Sequence, residues 1–402
     1  MGPTAASRQS RTAAERPPCP HYPRCVGCPL IGRPYTEQLR WKQEALENLV
    51  ASTWPSHPPH IGTIVGSPEA FGYRNQAKLV LRRSARRGLI AGLFRPGTHT
   101  VVDIRFCPVH HPLITQTLAR LLPLLEKSPL STYDERTKTG DLRYLVVRAS
   151  RWTKSVQVIL VTTREPDAPL ASLLRRVARL PRVRSVVHNH NPSPGNVIFG
   201  ERFTPITGDD ALAERIGNLK LKTRAGAFLQ ANVLVARRIY EYVVRGAELS
   251  PQDVALDLYC GAGALTLHLA ADAKLAIGVE ESPIAAADAR TNARWNGFHN
   301  VRTLTLPAQD GVRLLQERFG HIDVVTLNPP RKGADELTRA GIVQLTPRTV
   351  VYVSCNPATL IRDLQWFEQH GYRVEAIQPF DMFPQTDHIE CVAIMRATGN
   401  EI

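Results

Sequence analysis

The sequence predicts an α/β protein with two structured parts: an N-terminal α+β domain over about residues 19–221 and a C-terminal doubly wound parallel sheet over about residues 222–402. Strand and helix patterns alternate strictly in the second part, as in parallel sheets that are covered by helices on both faces. The net charge is +16 over residues 1–220 and −2 over residues 221–402, which together give the +14 of the whole chain. The two parts therefore differ in both pattern and charge.

Charge and hydropathy limit the classes of partner. A net charge of +14 favours an anionic partner, either nucleic acid or an acidic membrane surface. No stretch of the sequence is apolar enough for an export signal or a membrane span. We therefore expect a cytoplasmic monomer with no membrane partner. In that compartment the seven cysteines are expected to be thiols, metal ligands or catalysts rather than disulfides.

The N-terminal part begins with a polar, basic segment, residues 1–18, for which we predict a disordered tail. The first predicted helix, at about 35–51, is a candidate to pack on the C-terminal domain. Further elements are expected as strands between 71 and 104, a helix at 113–127, strands at 142–149 and 155–163, and a helix at 168–180. Apolar and cationic residues alternate between Tyr73 and Arg87, which predicts a sheet face for phosphates or else a solvated basic strand.

The C-terminal part is predicted to contain seven strands. They are expected at residues 254–259, 275–280, 301–306, 322–327, 350–354, 373–378 and 391–396, with helices between them that include 264–273 and 283–296. The last two strands are expected to form a terminal strand or hairpin. Ligands of doubly wound sheets bind at the carboxyl ends of the strands, and the candidate site residues lie at that edge.

The first of these strands ends in a short glycine loop, which lets a ligand approach the backbone closely. The third glycine of a dinucleotide fingerprint is absent, because Thr266 stands in its place, and a pyrophosphate is therefore not favoured. Glu280 ends the second strand, where its carboxylate can accept ribose hydroxyls. Together these features indicate S-adenosylmethionine, and the alternative is a tight structural turn.

Asn328-Pro329-Pro330 ends the fourth strand, and its two prolines fix the loop over the sheet edge. Such loops also occur in amino-group methyltransferases, where an aromatic residue usually follows and stacks on the base. Arg331 occupies that position here. This difference argues against methylation of an adenine or cytosine amino group.

Cys355 follows the fifth strand, just before a helix that Pro357 can begin. A helix N-terminus lowers the pKa of a thiol, so Cys355 is a candidate nucleophile. The alternative, an inert buried thiol, is the expectation for Cys260 and Cys391. Glu390 enters the last strand and is either a general base or a solvated carboxylate at a strand end.

These motifs together resemble the RNA uracil-C5 methyltransferases. The resemblance rests on residues 257–263, Asn328 to Gly333, Ser354 to Pro357, His388 to Glu390, and Phe228-Leu229-Gln230-Ala231-Asn232. It implies a Rossmann-like methyltransferase domain in which the cofactor contacts are Gln230, Tyr259, Glu280 and Asn328, with Cys355 as nucleophile and Glu390 as base. Asn at position 328 resembles the branch that modifies 23S ribosomal RNA and has no N-terminal RNA-binding barrel. We expect that the segment before Cys19 is too short for such a barrel.

Four cysteines of the N-terminal part could form a metal site, namely Cys19, Cys25, Cys28 and Cys107. Four thiolates can hold zinc or an iron–sulfur cluster. Zinc could also use nearby histidines, namely His21, His110 and His111. The Cys-x3-Cys-x2-Cys spacing of radical enzymes is absent. The family resemblance implies a [4Fe–4S] cluster on the four cysteines, which would link distant parts of the chain.

The predicted function is methylation of C5 of a uridine in 23S ribosomal RNA. The nearest alternative is the same chemistry on the T-loop of transfer RNA. An amino-group methyltransferase is disfavoured by Arg331 and Cys355. A non-catalytic iron–sulfur protein that binds RNA or senses redox state is a further alternative, which the intact Cys355 and Glu390 disfavour.

Overall fold

The computed structural model describes residues 19–84, 86–195 and 197–399, so the predicted tail, residues 1–18, lies outside the described part. The helices of that part are α1 Tyr35–Thr53, α2 Pro112–Glu126, α3 Ala168–Ala178, α4 Val233–Ala247, α5 Ala264–Ala270, α6 Pro283–Trp295, α7 Ala308–Phe319, α8 Glu336–Gln344 and α9 Pro357–Glu368. None of these described helices combines the length and the apolar character that crossing a membrane requires.

The strands form an eight-stranded sheet, a seven-stranded sheet and a two-stranded hairpin. Their bounds are β1 His60–Ile61, β2 Gln76–Ser84, β3 Gly88–Phe94, β4 Val101–Asp103, β5 Leu142–Ala149, β6 Val156–Thr162, β7 Val183–His190, β8 Arg202–Thr207, β9 Ala211–Ile216, β10 Leu219–Arg224, β11 Val254–Leu258, β12 Leu275–Glu280, β13 Val301–Thr305, β14 Val324–Leu327, β15 Thr349–Ser354, β16 Tyr372–Phe380 and β17 Glu390–Ala397.

The eight-stranded sheet has the order β1-β16-β17-β15-β14-β11-β12-β13. Strands β11 to β15 are parallel, whereas β17 runs antiparallel between β15 and β16. Apolar clusters cover both faces, which is why these strands are almost continuously hydrophobic. The predicted α/β sheet with a terminal hairpin is confirmed, and the predicted strand bounds differ from the observed ones by only a few residues.

Two N-terminal segments join the eight-stranded sheet domain. Every fourth residue of α1 from position 38 to 50 is buried, as expected for one face of a helix. Leu46 and Val50 of this face belong to the same apolar core as β11 and β15. Strand β1 pairs in parallel with β16, with His60 opposite Ala376. Sequence reasoning missed β1, because two residues are too few to show a strand period.

The seven-stranded sheet, with the order β4-β3-β2-β5-β6-β7-β8, is the centre of the N-terminal domain. Leucines and valines of α2 and α3 pack on one of its faces. The hairpin of β9 and β10 packs on α6 of the other domain, where the Lys222 N–H donates to Asn292 Oδ1 at 2.7 Å. The boundary proposed between residues 221 and 222 therefore falls inside β10, within a hairpin that both domains contact.

Candidate active site

The carboxyl ends of β11, β12, β14 and β15 meet at one edge of the eight-stranded sheet. Predicted site residues lie at each end, namely Tyr259, Glu280, Asn328 and Cys355. The loop after β11 requires glycine, because Gly261 and Gly263 have φ angles of 56° and 82°. A Cβ at Gly263 would also lie only 2.9 Å from the Cβ of Ala289 in α6. The loop can therefore approach both α6 and a ligand.

Carboxylates hold this loop in place. Glu280 accepts the Gly261 N–H at 2.9 Å through Oε2, and its Oε1 accepts the N–H of the residue that caps α6 at 2.8 Å. Below the loop, buried Asp257 accepts hydrogen bonds from the hydroxyls of Thr266 at 2.6 Å and Thr326 at 2.9 Å. Burial raises the pKa of Asp257 to about 6, although these two hydroxyls oppose the rise. Sequence reasoning gave Asp257 no role, and the structure shows that it ties β11 to α5 and β14.

A cavity beside the glycine loop brings together three of the four residues predicted to contact the cofactor. Gln230, Tyr259 and Asn328 line this cavity together with the loop, while Glu280 lies behind the loop. Gln230 is buried, and its main-chain oxygen accepts a hydrogen bond from Asn75 Nδ2 at 3.0 Å. The N-terminal domain therefore helps to position one wall of the cofactor cavity.

The register of two antiparallel strands brings Cys355 and Glu390 together. Ser354 at the end of β15 pairs with Cys391 of β17. In an antiparallel pair the next residue of one strand lies opposite the preceding residue of the other, so Cys355, which directly follows β15, comes next to Glu390. The charge of Glu390 accordingly acts on the Cys355 thiol. Residues 35 positions apart in sequence thus share the carboxyl edge of the sheet. Glu390 is 4% exposed, which excludes the alternative of a solvated carboxylate.

The protein environment raises the pKa values of both groups. Burial raises the pKa of Glu390 to about 7, although the Arg331 guanidinium lowers it. Burial also raises the pKa of the Cys355 thiol, and the charge of Glu390 adds to the rise. The expectation of a thiol pKa lowered by a helix N-terminus is therefore wrong. Asn356 caps α9, so Cys355 lies outside the helix, and burial is the largest cause of the raised pKa.

Arg331 is a functional candidate that sequence reasoning missed. It lines a cavity of about 260 Å³ together with Cys355, His388 and the start of α9. Its guanidinium lowers the pKa of both Cys355 and Glu390, and its Nη2 lies 3.2 Å from His388 Nε2. Burial, with help from Arg331, lowers the pKa of His388, which favours a neutral imidazole. The sequence did contain a signal, a cation directly after the Asn-Pro-Pro loop.

The four cysteines of the predicted cluster lie within electrostatic reach of one another. All four are free and half-buried. Burial raises the pKa of Cys28 to about 12, and Cys107 and Cys25 add to the rise. Burial likewise raises the pKa of Cys107 to about 11, with Cys19 and Cys25 contributing. A bound cationic metal group would relieve this mutual repulsion by stabilising the thiolates, so the chemistry of the four donors fits such a group, whereas their arrangement in the described residues forms no metal-holding group.

The histidines near the cysteines make other contacts. His111 Nδ1 accepts the Leu113 N–H at 3.2 Å and caps α2, while His21 contacts the main-chain oxygen of Phe106. His110 is buried, and its burial lowers its pKa to about 3. Within residues 19–84, 86–195 and 197–399, no three His, Cys, Asp or Glu side chains form a group that could hold a metal ion.

The basic segment between Tyr73 and Arg87 is only partly available to phosphates. Arg82 donates to the main-chain oxygen of Tyr133 and lies near Asp134 and Glu135. Arg83 donates to three main-chain oxygens between residues 126 and 130. These two arginines therefore stabilise the loop after α2, and the prediction of a phosphate-binding face does not account for them.

Comparison with known proteins agrees with the geometry of the sheet edge. Residues 209–398 match the family model described as tRNA (Uracil-5-)-methyltransferase. An uncharacterized RNA methyltransferase of Geobacter sulfurreducens is 38% identical over 387 residues, which cover 96% of this chain and 78% of the relative. The chain belongs to the tRNA (uracil-5-)-methyltransferase family. The family resemblance inferred from the motifs is confirmed.

Two further relatives support the assignment to this methyltransferase family. An uncharacterized RNA methyltransferase of Halalkalibacterium halodurans is 35% identical over 94% of this chain and 82% of its own length. The crystal structure of the Pyrococcus abyssi tRNA (uracil-54, C5)-methyltransferase in complex with S-adenosyl-L-homocysteine has a TM-score of 0.74 and 27% identity, and the match covers 93% of this chain and 86% of that one. The protein is an RNA methyltransferase, and the alternative of a non-catalytic RNA-binding protein is wrong.

Proposed function

We propose that the protein transfers a methyl group to C5 of a uridine in 23S ribosomal RNA, with Cys355 as nucleophile and Glu390 as base. The antiparallel pairing of Ser354 with Cys391, which brings the neighbouring Cys355 and Glu390 close together, carries this proposal. Asn328 lines the cofactor cavity and Arg331 lines the cavity of Cys355, and both belong to one short loop. The nucleophile, the base and the methyl donor can therefore meet at one edge of the sheet.

The reaction begins when the Cys355 thiolate adds to C6 of the uracil. The electron pair of the C5–C6 double bond moves toward C5 and the C4 carbonyl, which makes an enolate. S-adenosylmethionine, when bound, would supply the methyl group that C5 takes, and S-adenosylhomocysteine would be the leaving group. The Glu390 carboxylate then accepts the C5 proton, the C–H electron pair forms the double bond again, and Cys355 leaves as thiolate. Arg331 favours the thiolate at the start and at the end of the cycle.

The residues around the glycine loop fit the methyl donor. Each oxygen of the Glu280 carboxylate accepts one main-chain N–H and keeps acceptor capacity for a ribose hydroxyl. Gln230, Tyr259 and Asn328 line the cavity and carry amide or hydroxyl groups that can donate and accept hydrogen bonds. We assign these four residues to cofactor binding.

Cys19, Cys25, Cys28 and Cys107 are proposed as the ligands of a [4Fe–4S] cluster. Four free thiols support this assignment, and among them burial and the neighbouring cysteines raise the pKa values of Cys28 and Cys107. A cluster takes one cysteine on each iron and spreads its ligands around a cube of atoms, so it differs from a single-ion site. Its role in this proposal is to join the N-terminal loop to the segment after β4.

Transfer RNA is a second candidate substrate. The Pyrococcus abyssi enzyme, which is similar over 93% of this chain, is a tRNA (uracil-54, C5)-methyltransferase. Asn328, which resembles the ribosomal branch, supports 23S ribosomal RNA instead. The two substrates share the chemistry of Cys355 and Glu390 and differ only in the RNA that presents the uridine.

Mapping of 5-methyluridine by mass spectrometry tests the proposal directly. Ribosomal and transfer RNA are compared between cells that have the gene, cells that lack it, and deleted cells that carry wild-type or Cys355→Ala protein. We expect one 23S position to lose its methyl group on deletion and to regain it only with the wild-type protein. Loss of a tRNA position with unchanged 23S RNA would establish the second candidate, and loss of neither would contradict both.

A further inference from the structure

We propose that a second cationic surface of the N-terminal domain binds the phosphates of an RNA stem next to the target uridine. We call this surface the α3 patch, and its members are Lys154, Arg175, Arg176, Arg179 and Arg182. The proposal rests on the proposed function in one respect, namely that the substrate is RNA. It goes beyond that function because it assigns a separate surface to the RNA around the uridine.

The helical period points the arginines of α3 outward. The buried side of the helix is formed by Leu170, Leu173, Leu174 and Val177. At about 100° per residue, its three arginines fall within a sector of about 100° on the opposite side. Arg182 in the turn after α3 donates to the main-chain oxygen of Lys154 at 3.3 Å, which joins the turn between β5 and β6 to the same surface. All five side chains are exposed.

Structural roles account for only part of the α3 patch. In the described residues no salt bridge involves any of its members, whereas Arg151 and Arg164 nearby are both paired with carboxylates. Arg175 and Arg179 stand four residues apart, and like charges at that spacing destabilise a helix. The helix dipole favours cations in the last turn of α3, but Lys154 and Arg182 lie on turns. A polyanionic partner accounts for all five cations.

A line of contacts connects the α3 patch with the cavity of Cys355. The His388 ring, which lines that cavity, packs edge-on against Phe383 at 6.0 Å between centroids, and the Arg74 guanidinium lies 5.6 Å from the same Phe383 ring. Arg151 donates to the main-chain oxygen two residues before Arg74 at 2.7 Å and precedes Lys154 by three residues. These contacts form one chain of neighbouring residues from the cavity of Cys355 to the turn of Lys154, and we infer that the RNA strand follows it.

The composition of the α3 patch points to a double-stranded partner. Its members are all cations, which contact phosphates without reading sequence. They spread over a helix and two turns, and an A-form stem presents phosphates of both strands across its shallow groove. The α3 patch would therefore hold the stem while the sheet edge acts on the base.

The test uses the full-length protein and an RNA duplex of about 20 base pairs as probe. The patch variant is Arg175→Gln/Arg176→Gln/Arg179→Gln. The control variant, Arg294→Gln/Arg318→Gln/Arg373→Gln, removes three exposed arginines from the other domain. Binding is followed by fluorescence anisotropy between about 50 and 200 mM salt. A second assay measures methylation of total RNA from cells that lack the gene.

We expect the patch variant to bind the duplex at least about tenfold more weakly at about 50 mM salt, with a salt slope smaller by about 2 to 3, since each lost phosphate contact removes about 0.9. Its KM for RNA should rise while kcat stays unchanged, and the control variant should resemble wild type. Duplex binding within about twofold of wild type, or an equal loss in the control variant, would overturn the proposal. If the patch variant alone loses duplex binding and no RNA is methylated at uridine, the α3 patch stands and the proposed function fails.

Discussion

The carboxyl edge of the eight-stranded sheet and the α3 patch hold their charged groups in opposite environments. At the sheet edge Glu390 is 4% exposed, and burial raises its pKa to about 7. On α3 the arginines extend into solvent. A buried ionisable group changes its protonation state near neutral pH, as a general base must. Exposed guanidinium groups stay charged and add their attraction over a surface.

This difference predicts a division of labour between the two regions. Substitutions at the sheet edge should stop identifiable steps of the reaction and leave RNA affinity largely intact. Substitutions in the N-terminal domain should change RNA affinity or stability and leave the chemical steps intact. The division would fail if a substitution at the sheet edge mainly weakened RNA binding, or if a substitution in the N-terminal domain mainly slowed a chemical step.

The largest expected effect comes from Cys355→Ala. The variant lacks the nucleophile that activates C5, so methyl transfer should fall by at least about 10⁴-fold. No covalent complex with RNA should form, while affinity for S-adenosylmethionine stays at the wild-type value, because Cys355 does not line the cofactor cavity. Single-turnover methylation and cofactor titration measure the two quantities. Residual turnover above that limit would show that another group adds to C6.

Glu390→Gln should stop the reaction one step later. Cys355 can still add to C6 and C5 can still take the methyl group, but the C5 proton then has no base. We expect a covalent complex of protein and RNA that carries the methyl label and survives a denaturing gel. Normal turnover would show that another group, such as His388 or water, accepts the C5 proton. A complex without label would show that Glu390 acts before methyl transfer.

Cys25→Ser and Cys355→Ala form a matched pair that tests the cysteine cluster. Wild-type protein purified without oxygen should be brown and contain iron and labile sulfide at about four atoms each per chain. Cys25→Ser should lose iron and melt roughly 5–10 °C lower, whereas Cys355→Ala should keep both iron and Tm. The single-turnover rate of folded Cys25→Ser should stay near wild type. A colourless wild-type protein with one zinc per chain would contradict the cluster.

The fold of the C-terminal domain was largely predictable, because its strands are buried on both faces and have a strong apolar signal. The packing of α1 on that domain was also predicted, and Leu46 and Val50 do join that core, but the polar contacts of its buried face were not predictable. Its buried face contains Lys42, whose Nζ makes a 2.6 Å ion pair with Asp381, both fully buried. A lysine and an aspartate more than 300 residues apart give no sign in the sequence that they pair.

The sequence motifs predicted which residues belong to the candidate site, but not how those residues are arranged in space. The order of motifs indicated Cys355 and Glu390, but only the pairing of β15 with β17, which ends at Ser354 and Cys391, shows that the two residues are neighbours in space. Charge along the chain was a weaker guide. Arg82 and Arg83 stood out in a basic segment yet bond to the protein's own backbone, whereas Arg175 and Arg179, which lie in the α3 patch, did not stand out.

The smallest expected effect concerns stability, and it follows from the burial of Glu390. Because its pKa rises from 4.5 to about 7 on folding, the folded protein binds a proton that the unfolded chain releases. This contribution to stability is fully present below about pH 4.5 and is lost as the pH rises through about 7. Glutamine keeps the shape of the side chain and removes its charge. We therefore expect Glu390→Gln to raise the free energy of unfolding by about 1–3 kcal/mol near pH 8 and to change it little near pH 4.

Urea unfolding at both pH values measures the effect, with Glu317→Gln, at an exposed position of α7, as control. An equal change at both pH values would mean that packing, rather than ionisation of Glu390, sets the difference.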